Sequence, residues 1–329
     1  MENKNRKAGK RLPEKEPALI KKLYKLLEKC ALCPHKCRVD RIKGEKGFCS
    51  AGYKPCVSSA MAHHGEEPPI SGNRGSGTVF FSYCNMKCIY CQNYQISQQH
   101  EGHTISVEDL AETMISLQKS GCHNINFVSP SIWIPQIVKS FHRAAEKGLN
   151  IPLVYNTGGY DSPAAIKMLE GIIDIYMPDM RYSSNEMAEK YSGIKNYVEN
   201  NRLSLKEMYR QVGGLIVDKK GVAKKGLLIR LLVLPSNIGG IKETLEFIKY
   251  ELSEKVYLSI MAQYHPEYDA CRFPELSRRI TLKEYRDVTG YASKLGLIKG
   301  WVQDHFALEG EDLFRPDFRR KKVFRYYDE

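Results

Sequence analysis

The sequence predicts an α/β protein with a parallel sheet, and two observations carry that prediction. From Thr78 onward, short and nearly continuous apolar runs alternate with amphipathic helical stretches. Such strands are buried on both faces, which requires a parallel sheet covered by crossover helices. Six strand–helix units follow one another, which suits either a partial barrel or a doubly wound sheet. In both, functional residues gather at the C-terminal ends of the strands.

In order, TVFFS (78–82) reads as a strand. Residues 106–120 read as a helix, with Ser106 at the N-cap and Asp109 at the capping-box position. NINFVS (124–129) and IPLVYN (151–156) are strands, each followed by a helix, over 134–147 and 162–170. IIDIYM (172–177) is a strand, with helices at 185–191 and 198–213. GLLIRLLVL (226–234) and VYLSIMA (256–262) complete the six, with a helix over 241–252 between them. A helix over 282–294 and the segment LIKGWV close the pattern. Upstream, 1–17 is a polar, charged tail and 18–29 a short amphipathic stretch with Leu19, Leu23, Leu26 and Leu27 on one face. Residues 30–56 are rich in Gly, Lys and Cys and too poor in apolar residues to pack a core without a cross-link or metal. AHHGEEPPISGNRGSG (62–77) reads as a loop. The expected organisation is therefore a tail (1–17), a Cys-rich appendage and connecting loop (18–77), a barrel-like body (78–266) and a C-terminal helical extension (267–329).

Ten cysteines occupy 30, 33, 37, 49, 56, 84, 88, 91, 122 and 271, eight of them between 30 and 91. The N-terminus has no apolar signal region and no run of about 18 apolar residues exists, which points to the cytoplasm and away from a membrane. The longest candidate, 227–234, is interrupted by Arg230. In a reducing compartment clustered cysteines bind metal more often than they pair. Charge is uneven. Residues 1–56 hold 16 Lys or Arg against 6 Asp or Glu, whereas 57–329 hold 34 against 32. The basic segment would suit nucleic acid, an acidic protein surface, or a cationic shell around thiolates, and no RNA-binding module is recognisable.

The chemistry-bearing motifs fall at strand ends: SYCNMKC after the first strand, SPS after the second, NTGG after the third and PDMR after the fourth. Cys84, Cys88 and Cys91 form C-x3-C-x2-C. A structural zinc site takes four ligands and an iron–sulfur cubane has four irons. Three thiolates therefore leave one position for something else. A separate set, Cys30, Cys33, Cys37 and Cys49, lies at C-x2-C-x3-C-x11-C and makes a complete site for an auxiliary iron–sulfur cluster or zinc.

C-x3-C-x2-C with Tyr90 before its last cysteine resembles the signature of the radical S-adenosylmethionine (SAM) superfamily. The flow from LCPHKC through GEEPPISG, CQNYQIS, NINFVSPS and QYHP to FPELSRRIT resembles the pyruvate formate-lyase activating enzymes, and more closely a PflX-like group. The resemblance implies a partial (βα)6 TIM-like barrel with an N-terminal Cys-rich appendage. It implies a [4Fe–4S] cluster on Cys84, Cys88 and Cys91 with SAM on the open iron. Reductive cleavage of SAM then yields a 5′-deoxyadenosyl radical that abstracts a substrate hydrogen, as in activation of a glycine on a protein partner. An electron donor such as flavodoxin or ferredoxin follows. Modification of RNA or a small metabolite is the enzymatic alternative; an electron-transfer or zinc-scaffold protein is the non-enzymatic one.

By the same resemblance Asn85 and Tyr90 belong to the cluster loop, Tyr90 packing near adenine. Ser129, Pro130 and Ser131 stand where the family has Gly-Gly-Glu, so the carboxylate that meets the SAM amino group has no counterpart there. Asn156, Thr157 and Gly158 match a turn near ribose or methionine. Asp179 and Arg181 match Asp-x-Lys with Arg for Lys, and Arg230 matches a basic residue near SAM. His265 matches a histidine at the barrel mouth, and Cys271 is a candidate hydrogen-atom donor.

Overall fold

A computed structural model describes residues 16–303 and 315–324. The tail through residue 15 and parts of the C-terminal extension (304–314 and 325–329) lie outside the described residues. The elements in chain order are α1 (Glu16–Lys25), β1 (Cys56–His63), α2 (Pro68–Ser71), β2 (Ser76–Phe81), α3 (Tyr94–Ser97), β3 (His103–Thr104), α4 (Val107–Lys119) and β4 (Ile125–Val128). They continue with α5 (Ile134–Glu146), β5 (Leu153–Thr157), α6 (Pro163–Lys167), β6 (Ile175–Pro178), α7 (Asn185–Ser192), α8 (Tyr197–Val212) and β7 (Ile216–Val217). Last come β8 (Ala223–Leu232), α9 (Ile241–Phe247), β9 (Tyr257–Met261), α10 (Leu282–Lys294) and β10 (Gly300–Val302).

One sheet runs β10-β9-β8-β6-β5-β4-β2-β1-β3. All pairings from β2 to β10 along it are parallel. Each strand is laid beside its predecessor in a single direction, without the reversal of order that defines a doubly wound sheet. The result is an open barrel, with β10 as a seventh parallel strand beside the expected six.

Side chains alternate between two environments along each strand. Val79, Phe81, Phe127, Leu153, Tyr155, Tyr176, Leu227 and Ile229 belong to the large core shared with the helices. Val154, Ile175, Met177 and Leu228 pack with one another inside the bore, around Ile70. The helices are fixed by local chemistry. Ser106 and Asp109 form the expected capping box on α4, and Thr281 with Glu284 forms a second on α10.

The region expected to be a loop is different. Residues 56–63 form β1, antiparallel to β2 from Val57 to His63. The chain then turns into the bore. Pro68 and Pro69 start the single turn α2, Ile70 is fully buried among the bore residues, and Asn124 Nδ2 donates to Ile70 O at 2.8 Å. Gly72 closes this turn at φ 47°, where a Cβ would stand 2.7 Å from the His123 ring. Residues 56–77 thus belong to the sheet and to a plug in the barrel, rather than to the appendage. The appendage proper, 30–55, is built of turns and docks through Arg41. That guanidinium is buried, donates to Gly52 O and Ile132 O, and stacks over Trp133.

Candidate active site

A cavity of about 500 Å³ opens at the C-terminal ends of the parallel strands. The loop after β2 brings Cys84, Cys88 and Cys91 to its wall together with Tyr90. Backbone bonds from Lys87 N to Ser192 O and from Ile89 N to Tyr191 O tie this loop to the end of α7. Each sulfur has a fixed polar neighbour. Met86 N donates to Cys84 Sγ at 3.4 Å, Ser192 Oγ donates to Cys88 Sγ at 3.0 Å, and Cys91 Sγ lies 3.2 Å from Ser97 Oγ. Burial first, and then the neighbouring Cys88, push the Cys84 thiol up to about 12. The same two causes push Cys91 up to about 11. These thiols need a strong Lewis acid to become thiolates at neutral pH. Among the described residues, no three His, Cys, Asp or Glu side chains crowd around one point as ligands of a single ion would.

The next strand ends add a charged network. Asp179, just past β6, accepts from Arg230 Nε at 2.8 Å and from Arg181 Nη2 at 2.5 Å. Arg230 Nη2 donates to Asn156 Oδ1 at 2.7 Å. Parallel pairing sets the register: Asp179 bridges Arg230, and Asp179 N bonds Thr157 O. Arg181 Nε is buried without a hydrogen-bond partner, beside the Cys88 and Tyr90 side chains. An unpaired guanidinium N–H beside three thiols fits an anionic ligand group at this wall. Tyr90 OH lies 2.6 Å from Tyr182 OH, and its ring meets Tyr264 edge-on. Ser129, Thr157, Gly158 and His265 complete the cavity wall among the expected residues. Gly158 is tight, since a Cβ there would stand 2.6 Å from Met86 Sδ.

Four expected site residues turn elsewhere. Asn85 points its amide to Tyr160 O. Pro130 does not line the cavity, and Ser131 donates inward to Asp161 Oδ1 at 2.6 Å. Asp161 is a buried hub that also accepts from Tyr155 and Thr157, fixing the turn after β5. Cys271 is exposed to solvent away from the cavity. Two residues absent from the sequence expectations enter in their place. Glu66 and Glu67, carried by the plug, form the floor. Glu66 Oε1 accepts from Asn126 at 2.8 Å, and Oε2 lies 3.7 Å from Arg230. The missing carboxylate of the SPS motif thus has neighbours of the same chemistry from another element. The only sequence signal was the pairing of two acids with two prolines, which also describes a solvated turn.

Cys30, Cys33, Cys37 and Cys49 lie together outside this cavity. Burial raises Cys33 and Cys49, and the other thiols of the set raise them further. His35 links the two sites: its Nε2 lies 2.9 Å from Asn85 O and its ring stacks on Phe48.

The Radical SAM superfamily model matches residues 78–248. The chain is similar to an uncharacterised protein of Methanocaldococcus jannaschii, 30% identical over 285 residues, which cover 83% of this chain and 76% of that protein. It is also similar to pyruvate formate-lyase 1-activating enzyme of Escherichia coli K12, 25% identical over 56% of this chain and 78% of that enzyme. Among solved structures, the FeFe-hydrogenase maturase HydG of Carboxydothermus hydrogenoformans matches with a TM-score of 0.46 at 12% identity, over 69% of this chain and 53% of its own. The chain thus spans about half the length of that structure.

Proposed function

The chain belongs to the radical SAM superfamily, and from that premise we propose that it uses S-adenosylmethionine to abstract a hydrogen atom from a substrate held in the cavity above the plug. The observation that carries this reading is the meeting of Cys84, Cys88 and Cys91 with Asn156, Asp179, Arg181 and Arg230 on one cavity at the strand ends. When bound on the three thiolates, a [4Fe–4S] cluster supplies the electron that splits S-adenosylmethionine into methionine and a 5′-deoxyadenosyl radical.

The chain's own residues do the rest. Ser192, Ser97 and the Met86 amide direct hydrogen bonds at the three sulfurs and hold them in place. Arg181 offers its unpaired Nε to a carboxylate, while Asp179 fixes the orientation of the guanidinium. Asn156 and Arg230 present a paired donor and acceptor edge beside it. Phe80, Ile96, Val128 and Phe324 give the cavity an apolar side that excludes water from a reactive centre.

Two finer statements belong to the same proposal. The hydrogen donor is a glycine on a protein partner; similarity to pyruvate formate-lyase 1-activating enzyme supports this. Cys30, Cys33, Cys37 and Cys49 hold a second metal centre, and the contact of His35 with the cluster loop supports its being redox-linked to the first. A donor such as flavodoxin or ferredoxin supplies the electron.

The test is anaerobic reconstitution of wild type and of a Cys84/Cys88/Cys91→Ala variant, with iron, sulfide, zinc and EPR read with and without S-adenosylmethionine. Formation of 5′-deoxyadenosine by wild type alone is expected. Wild type that carries a full cluster and never cleaves S-adenosylmethionine, with or without a candidate partner, would sink the reading. Iron that persists in the variant would assign a cluster to the Cys30–Cys49 set; zinc alone would make that set structural.

A further inference from the structure

Three carboxylates and two guanidiniums meet at the base of the cavity: Glu66, Glu67 and Asp179 with Arg181 and Arg230. Asp179 is satisfied on both oxygens by the two arginines. Glu66 is satisfied by Asn126 and by the nearby Arg230. Glu67 is the carboxylate left over. Its side chain is 4% exposed, and among the described residues its Oε2 accepts no hydrogen bond. One further buried polar atom of the bore, Asn126 Oδ1 on β4, is also without a partner, while the Ser259 hydroxyl of β9 stands against the Glu67 carboxyl as its side-chain donor.

An unmet buried acceptor is costly, and a buried carboxylate without its own counter-charge more so. Among these five side chains the carboxylates outnumber the guanidiniums by one. The direction of the Glu67 titration agrees. Burial raises its carboxyl, Arg230 offsets this only in part, and Glu66 adds to it. The thiols follow β2, whereas Glu67 faces Tyr257 and Ser259 of β9, at the other flank of the sheet order.

We infer that the substrate carries a cationic nitrogen, an ammonium or guanidinium, and that Glu67 receives it at the floor of the bore. This rests on the reading of the cavity as the site of S-adenosylmethionine chemistry. Glu67 is then the specificity-determining residue, with Asn126 Oδ1 as an additional polar contact.

The test uses full-length, anaerobically reconstituted protein and simple probes: hexylamine, which is cationic at pH 8, against hexanol. Wild type is expected to bind hexylammonium about tenfold more tightly than hexanol, the size of one charge-assisted hydrogen bond. Glu67→Gln is expected to erase that preference while keeping its iron content and a cooperative melt. If Glu67→Gln does not fold, Glu67→Asp, which keeps the charge but withdraws it, is expected to reduce the preference. Equal binding of both probes by wild type, or an undiminished preference in the variant, overturns the inference. The amino group of S-adenosylmethionine is the other source of the same chemistry. Hexylammonium that binds alongside saturating S-adenosylmethionine supports the substrate assignment. Competition between the two, with S-adenosylmethionine weakened about tenfold by Glu67→Gln, overturns it in favour of the cofactor. Wild type that shows the ammonium preference yet never cleaves S-adenosylmethionine supports the cation site and removes the reading of the chemistry above it.

Discussion

Asp179 holds two guanidiniums at once, so its removal leaves two half-buried cations without their counter-charge. Breaking a buried ion pair by deleting one partner costs about 3–5 kcal/mol. Asp179→Ala is therefore expected to lower the melting temperature by several degrees, and Arg181→Lys less, since Lys keeps the charge but loses the planar fork. Glu67 predicts the opposite sign. Its carboxyl is raised in the folded chain, so between the unfolded value and the folded one the native state holds a proton that the unfolded state has released. Stability then falls as pH rises through that window. Glu67→Gln removes this term. Relative to wild type, its melting temperature should rise between pH 4.5 and neutrality, by the equivalent of roughly 1–3 kcal/mol. Thermal melts across that range check it; a constant difference would mean that Glu67 is ionised throughout. Neither carboxylate of the floor was readable as buried from the chain alone. Acids are almost never buried unless paired, and the partners of Glu66 lie 60 residues or more away. Cys84, Cys88 and Cys91 were legible because their spacing is local. Ser131 was misplaced because the direction of a side chain in a turn depends on the hub it meets, here Asp161.

Elements were legible where their signal is periodic or capped. The α4 capping box and the full span of α10 were expected and are present. The strand β1 was missed because VSSAMAH lacks a β-branched alternation. Its pairing is supplied by β2. The plug was missed because E-E-P-P followed by glycines reads as turn chemistry. Its stability comes from Ile70, fully buried in the bore. Ile70→Ala should cost about 2–5 kcal/mol. It should also weaken S-adenosylmethionine-independent binding of hexylammonium more than Leu23→Ala, which empties a site in the helix-side core. Melts with probe titrations of both variants decide this; equal effects would detach the plug from the floor.

For the molecule as a whole, the appendage is joined to the barrel through Arg41 and through His35 on the cluster loop. Its low apolar content is what suggested, from composition, a segment held by a metal. That it leans on the cluster loop was not. Removal of metal by a chelator under reducing conditions is expected to open 30–55 to protease while the barrel stays folded. Arg41→Met should have a like effect without chelation. Protection unchanged by both treatments would mean that neither metal nor Arg41 fastens the segment. Among the described residues no helix is long and apolar enough to cross a membrane.

The plug fills the bore from the N-terminal side, and the cavity lies above it at the strand ends. A vessel closed at its base fills and empties from its rim. Whichever molecule reaches Glu66 and Glu67 must pass before the later arrival stands at the thiols, and on the way out the order reverses. Turnover would then follow a compulsory sequence in which the shallower product departs before the deeper one. An excess of the last-binding reactant would trap the deeper product and slow the cycle, a signature visible in steady-state inhibition patterns without any mutation.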